Sequence, residues 1–83
     1  MKVRAYFAAI TSMSELHEPK VILLMRDGNT LYGTARNPLY GEGDPVKGMA
    51  WFSIDYVATH SHTFSSNCDI AIDISAVIAV IPQ

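Results

Sequence analysis

The chain reads as a mainly β domain, an N-terminal helix followed by five short antiparallel strands bent strongly into a small barrel. Three observations predict this. Asp27-Gly28 lies between two strand-like runs, Val21 to Met25 and Thr30 to Arg36. Asp-Gly in that setting is the strongest short-range hairpin signal, because Gly accepts positive φ without a Cβ clash and Asp tolerates it. Asp69-Ile70-Ala71-Ile72-Asp73-Ile74 alternates with the two-residue period of a half-buried strand. Gly33, inside the second run, marks a bend or a close backbone approach of the kind a small barrel needs.

Size and composition narrow the field. With 83 residues the chain is a single domain, 1–83, with a thin stability margin. Hydrophobic residues make up 49% and charged residues 17%, which excludes intrinsic disorder, since a disordered chain has the opposite balance. Cys68 is the only cysteine, so no disulfide forms within the chain, and an unpaired thiol fits a reducing, cytoplasmic location. The longest apolar run, Ala76 to Ile81, is far short of a membrane span. The apolar stretch Ala5 to Ile10 is too short for the core of a signal peptide. A net charge of −2 and a pI near 5.8 give no support to a general polyanion binder.

The elements follow in order. Tyr6, Ala9, Ile10, Met13, Leu16 and His17 fall at helical spacing, although Val3, Ala5, Phe7 and Ala9 suit a strand almost as well. Ser12 and Glu15 have capping-box spacing and offer a second start for a short helix that Pro19 ends. A helix before Pro19 is the expectation. Strands follow from Val21 to Met25 and from Thr30 to Arg36. Residues 37–48, with three glycines and two prolines, form a long loop. Met49 to His60 is a third strand, with Phe52, Ile54, Tyr56 and Ala58 on one face and Trp51, Ser53, Asp55 and Thr59 on the other. His60 to Asn67 is expected to be a polar turn. Asp69 to Ile74 and Val77 to Ile81 complete the five strands, with a break at Ser75 or Ala76.

Val21 to Arg36 resembles the first motif of Sm and Sm-like proteins, the group that includes Hfq. The motif runs apolar strand, Asp-Gly turn, then a strand with Gly two residues after an apolar position; Asp27, Gly28, Leu31 and Gly33 hold those places. The ending from Ile72 to Pro82 resembles the close of the second motif, in which two short strands follow almost without a turn. The resemblance covers about two-thirds of the chain and implies an Sm-like or related SH3-like barrel, ring assembly and RNA binding. Two features depart from it. The Asp and Asn that build the RNA loop are represented only by Asn37 and Tyr40 in type, and Asp73-Ile74-Ser75 replaces the usual basic step.

Several patterns invite chemistry and are better explained without it. His60 and His62 have the spacing of a metal-binding pair, with His17, Asp55 or Cys68 as further ligands. Structural zinc sites commonly include paired cysteines, which are absent, so no metal site is expected. Cys68 beside Asp69 has no placed activating base, and a carboxylate neighbour raises a thiol pKa. A small buried cysteine at the start of a strand is the expectation. Gly41, Gly43 and Gly48 could suggest a phosphate cradle, but Glu42 and Asp44 are the wrong neighbours for one.

The functional expectation is a non-enzymatic homo-oligomer, a ring, that binds single-stranded RNA or DNA weakly. Arg36, Asn37, Tyr40 and Lys47 bracket the long loop, and an aromatic plane with nearby cations suits stacking on unpaired bases. Avidity from repeated sites offsets poor single-site affinity. The final strand is apolar on both faces, so Val77, Ile78, Val80 and Ile81 are expected at the subunit interface. The second reading is an oligomeric module that captures a small molecule or a protein, favoured by the acidic pI. A metal-dependent enzyme using His60 and His62 stands third.

Overall fold

The computed structural model describes residues 1–13, 18–36 and 48–83. A helix α1 (Val3–Met13) precedes strands β1 (Lys20–Met25), β2 (Thr30–Ala35), β3 (Met49–Ala58) and β4 (Thr63–Asp73); a short 3-10 turn (Ile74–Ala76) leads into β5 (Val77–Pro82). The strands form one antiparallel sheet in the order β4-β3-β2-β1-β5. The sheet bends around a core without closing, and β4 and β5 are its two edges among the described residues.

The helical reading of the N-terminal segment holds. Tyr6 and Ile10, four residues apart, are fully buried, and Phe7 and Met13 pack partly against the core. Ala5, Ala8 and Ala9 favour helix over the alternating-strand reading. The helix begins at Val3, not at the Ser12 capping box. Ser12 lies in the last turn, where its hydroxyl donates back to the Ala9 carbonyl at 2.8 Å.

The β1–β2 connection is the expected hairpin. Gly28 N–H donates to the Met25 carbonyl, Met25 N–H donates to the Asn29 carbonyl, and Gly28 sits at φ +93°. This is a three-residue loop that ends in a left-handed glycine. Gly33 is the predicted close approach: a Cβ there would lie 2.0 Å from the Ser53 carbonyl oxygen. That contact lets β3 cross β2 tightly, and the β2–β3 register shifts at the same point, between Tyr32 and Gly33.

Two strand assignments need correction. The face Phe52, Ile54, Tyr56, Ala58 does not persist along β3. Its pairing with β4 shifts between Ile54 and Tyr56, and beyond that point Val57 packs against the core while Tyr56 lies over Tyr32 on the outer face. An extra residue in one strand inverts every side chain after it. The expected polar turn from His60 to Asn67 is also too long. The turn is confined to Thr59–His62, closed by Thr59 N–H to the His62 carbonyl at 2.7 Å, and β4 begins at Thr63. Thr, Phe and Ser in Thr63 to Ser66 look turn-like or neutral alone, yet pairing with β3 extends them.

The core comprises Tyr6 and Ile10 from α1 and the inward residues Val21, Leu23, Leu31, Ala35, Ala50, Phe52, Ile54, Ile72, Ile74 and Val77. No helix among the described residues is long and apolar enough to cross a membrane.

Candidate functional site

Of the expected loop contacts, Asn37, Tyr40 and Lys47 lie outside the described residues. Arg36 does not, and its guanidinium is already engaged. Its Nε donates to the Glu18 carboxylate at 2.6 Å, and Nη1 donates to the Ser53 hydroxyl at 3.2 Å. Ser53 in turn donates to the Asp69 carboxylate at 2.6 Å. One chain of hydrogen bonds thus runs from the residue before Pro19 across the end of β2 and β3 to β4. The pair is half-buried, which shields it from competing water. Trp51 lies beside Arg36 on the same face, joined through Arg36 N–H to its carbonyl.

Cross-strand register lays out the outer face in rows. One row is polar: Gln83, Lys20, Thr34, Ser53 and Asp69. Lys20 reaches Asp55 at 3.4 Å in an exposed pair of small energetic weight. The next row is apolar: Ile81, Ile22, Tyr32 and Tyr56. The two tyrosine rings stack, with centroids 4.2 Å apart and planes 14° from parallel. The charged side chains linked across this face, Glu18, Asp55 and Asp69 against Lys20 and Arg36, leave it slightly acidic.

The β5 residues expected at an interface divide. Val77 is buried in the core of its own chain and Val80 is half-buried against it, whereas Ile78 is 61% exposed and Ile81 is 40% exposed. Strand alternation explains the split: Val80 pairs with the buried Leu23, and Ile81 with the outward Ile22. The register shift at Met25 leaves Ile78 without a partner on β1. Gln83 N–H donates to the Lys20 carbonyl, which fixes the bonding phase of the pair. Val80 therefore turns its N–H and C=O to the open edge, and Pro82 stands where its missing N–H breaks no ladder bond.

A third feature lies where α1 meets the 3-10 turn. The Asp73 carboxylate caps that turn, accepting from Ser75 N–H at 3.0 Å and from the Ser75 hydroxyl at 2.7 Å. These hydrogen bonds hold its carboxyl below the usual carboxylate range, with Arg26 adding a smaller attraction. The Arg26 guanidinium donates to the Ser75 carbonyl at 2.8 Å, and the Met1 amine reaches the same oxygen at 3.3 Å and the Val77 carbonyl at 2.7 Å. Beside them is an open cleft of about 670 Å³ lined by Met1, Lys2, Val3, Gly48, Met49, Asp73 and Ser75. Sequence reasoning missed this grouping, because Arg26 and Ser75 are 49 residues apart and only the β1–β5 pairing brings them together.

The remaining candidates are placed as follows. His60 and His62 stand in the β3–β4 turn, with His60 packed over Gly28 and His62 stacked on Phe64 at 5.8 Å. No group of three or more metal-ligating side chains occurs among the described residues. Cys68 is exposed, correcting its expected burial; on β4 it pairs with Ile54, and its sulfur lies 3.2 Å from the Ser66 hydroxyl. No known family, curated protein or solved structure matches the chain.

Proposed function

We propose that this protein is a non-enzymatic, ring-forming module of Sm-like character that binds single-stranded nucleic acid weakly. The observation that carries the assembly is the location of its exposed large apolar side chains. Among the described residues, apart from Val3 on α1, they are Phe64 on β4 and Ile78 and Ile81 on β5, the two edges of the open sheet. An unpaired edge with exposed apolar groups is a template for another strand. The two edges differ: β4 is long and carries Asp69 and Asp73, while β5 is short and apolar. Unlike edges join head to tail, and a head-to-tail contact that closes gives a ring. The Sm-like hairpin at Asp27-Gly28 and Gly33 supplies the nucleic-acid part of the reading, with repeated weak sites summed by avidity.

Light scattering at micromolar concentration should return a multiple of the 9.1 kDa chain mass. A clean monomer would remove the assembly. Titration of labelled single-stranded oligonucleotides across salt concentrations tests the ligand, since phosphate contacts weaken as salt rises. The second reading, capture of a small molecule or protein by the same oligomer, is favoured by the slightly acidic outer face. It leads if the ring forms and no oligonucleotide binds.

A further inference from the structure

We infer that Asp27-Gly28 is a site of spontaneous backbone isomerisation, aspartate to isoaspartate, which the folded hairpin holds in check through Asn29. The chemistry is independent of assembly and of nucleic acid, and water is its only co-reactant. The Gly28 nitrogen attacks the Asp27 side-chain carboxyl carbon; the nitrogen's proton and the carboxyl hydroxyl leave as water, and a cyclic imide closes. Water then adds to one of the two imide carbonyls. Opening at one restores Asp27, and opening at the other routes the main chain through the side-chain carboxyl, with no net change of mass. Glycine is the following residue that hinders the attack least, because it has no Cβ. Asp27-Gly28 is the one Asp-Gly step in the sequence, which has no Asn-Gly step. Asp55, Asp69 and Asp73 lie in strands and precede the bulky Tyr56, Ile70 and Ile74.

Asp27 and Gly28 are both exposed, so water reaches them, yet both reacting groups are tied. One Asp27 carboxylate oxygen accepts from Asn29 N–H at 2.9 Å, and the other accepts from Asn29 Nδ2 at 3.2 Å. Gly28 N–H, the proton that must be given up, donates to the Met25 carbonyl at 3.0 Å. The His60 ring packs against Gly28, where a Cβ would meet its Nε2 at 2.8 Å. Arg26 anchors the turn from the other side: its N–H donates to the Ala76 carbonyl and its guanidinium to the Ser75 carbonyl, both at 2.8 Å. Ring closure consumes the Gly28 proton and a carboxyl oxygen, so it breaks the Met25 bond and strips the carboxylate of an Asn29 donor. The reaction therefore proceeds from the opened turn, and its rate follows local opening rather than exposure. The product carries one extra methylene in the main chain of a tight hairpin loop. The bonds that closed the turn cannot all re-form around it, so the change is retained.

The test is peptide mapping of the intact protein held at neutral pH and body temperature, beside a sample held in guanidinium chloride. The isoaspartyl peptide separates chromatographically at unchanged mass, and electron-transfer fragmentation locates the altered bond. It should accumulate many times faster in the denatured sample, and Asp27→Ser should abolish it in both. Asn29→Ala removes the side-chain donor and should raise the native rate about tenfold, the factor that one charge-assisted hydrogen bond carries. Hydrogen exchange at the Gly28 amide, read on the same samples, separates loss of the donor from loss of the fold. Asn29→Asp keeps the side-chain shape, removes the same donor and should raise the rate as well, which covers an Asn29→Ala chain that fails to fold. Equal rates in the native and denatured samples would overturn the protection. A native rate in both Asn29 variants that rises no further than Gly28 exchange does would overturn the part given to Asn29. A denatured sample free of the isoaspartyl peptide would overturn the site itself.

Discussion

Leu23 and Phe64 stand on the same face of one sheet and meet opposite fates. Register links them in a single inward row, Val80, Leu23, Leu31, Val57 and Phe64, yet Leu23 is fully buried and Phe64 is 52% exposed. The difference is cover. Tyr6 and Ile10 of α1 join the buried core around Leu23, whereas among the described residues Phe64 at the start of β4 has Val57 as its strand partner and His62 stacked beside it. The parallel row Val21, Gly33, Ile54 and Cys68 shows the same gradient, from full burial to exposure. An 11-residue helix cannot cover the inward face of a five-stranded sheet. What is left over lies on the edge.

The sharpest way to break this comparison is truncation at both ends of the row. Leu23→Ala should cost about 2–5 kcal/mol in urea unfolding, through lost burial and a residual cavity. Phe64→Ala should cost the isolated chain far less, and should weaken assembly instead. Equal losses of folding stability would mean that Phe64 is covered within its own chain.

The next largest effect separates the two kinds of β5 residue. Ile78→Asp places a charge on an exposed position, so the chain should stay folded while light scattering reports dissociation. Val80→Asp points its charge at the core beside Leu23 and should unfold the chain, since an unpaired buried charge costs several kcal/mol. An assembly unchanged by Ile78→Asp would exclude the β5 edge from the interface.

A smaller effect concerns the covered end. Among the described residues the buried Tyr6 hydroxyl has no hydrogen-bond partner, and desolvation pushes its pKa well above the ordinary phenol value. Tyr6→Phe removes an unsatisfied group and keeps the ring, so stability should be unchanged or higher by about 1 kcal/mol. A loss of that size would reveal a buried water or a partner's polar group at the hydroxyl.

The smallest expected effect is electrostatic. The folded-state pKa of Asp73 is lowered by its Ser75 hydrogen bonds, so its stabilisation is present above the ordinary carboxylate value and is lost as pH falls through the lowered one. Asp73→Asn should therefore melt lower than the parent at neutral pH, with the gap closing below about pH 4. A gap independent of pH would assign the cap to shape rather than charge.

Local chemistry made most of the elements legible in the sequence. Asp27-Gly28, Gly33 and the alternation of Asp69 to Ile74 announce a hairpin, a close crossing and a half-buried strand, because turn geometry and two-residue periodicity act over a few neighbours. The break at Ser75 or Ala76 and the helix stripe through Tyr6 and Ile10 are legible for the same reason. The candidate site was legible only in its residue types. Arg36 is visible as a cation in the sequence, but its commitment to Glu18 and Ser53 is not.

Only the tertiary structure decided which faces those elements present. The shift between Ile54 and Tyr56 turns Tyr56 outward, and no alternation read along β3 alone contains it, since the extra residue is defined only against a partner strand. Burial of Val77, exposure of Ile78 and exposure of Cys68 follow from the register with β1 and from where α1 stops covering the sheet. The meeting of Arg26, Lys2 and Ser75 needs the β1–β5 pairing and the docking of α1 together. Propensity and period are properties of a segment and can be read from it. Register, cover and charge pairing are properties of two segments at once, and they exist only after the chain has folded.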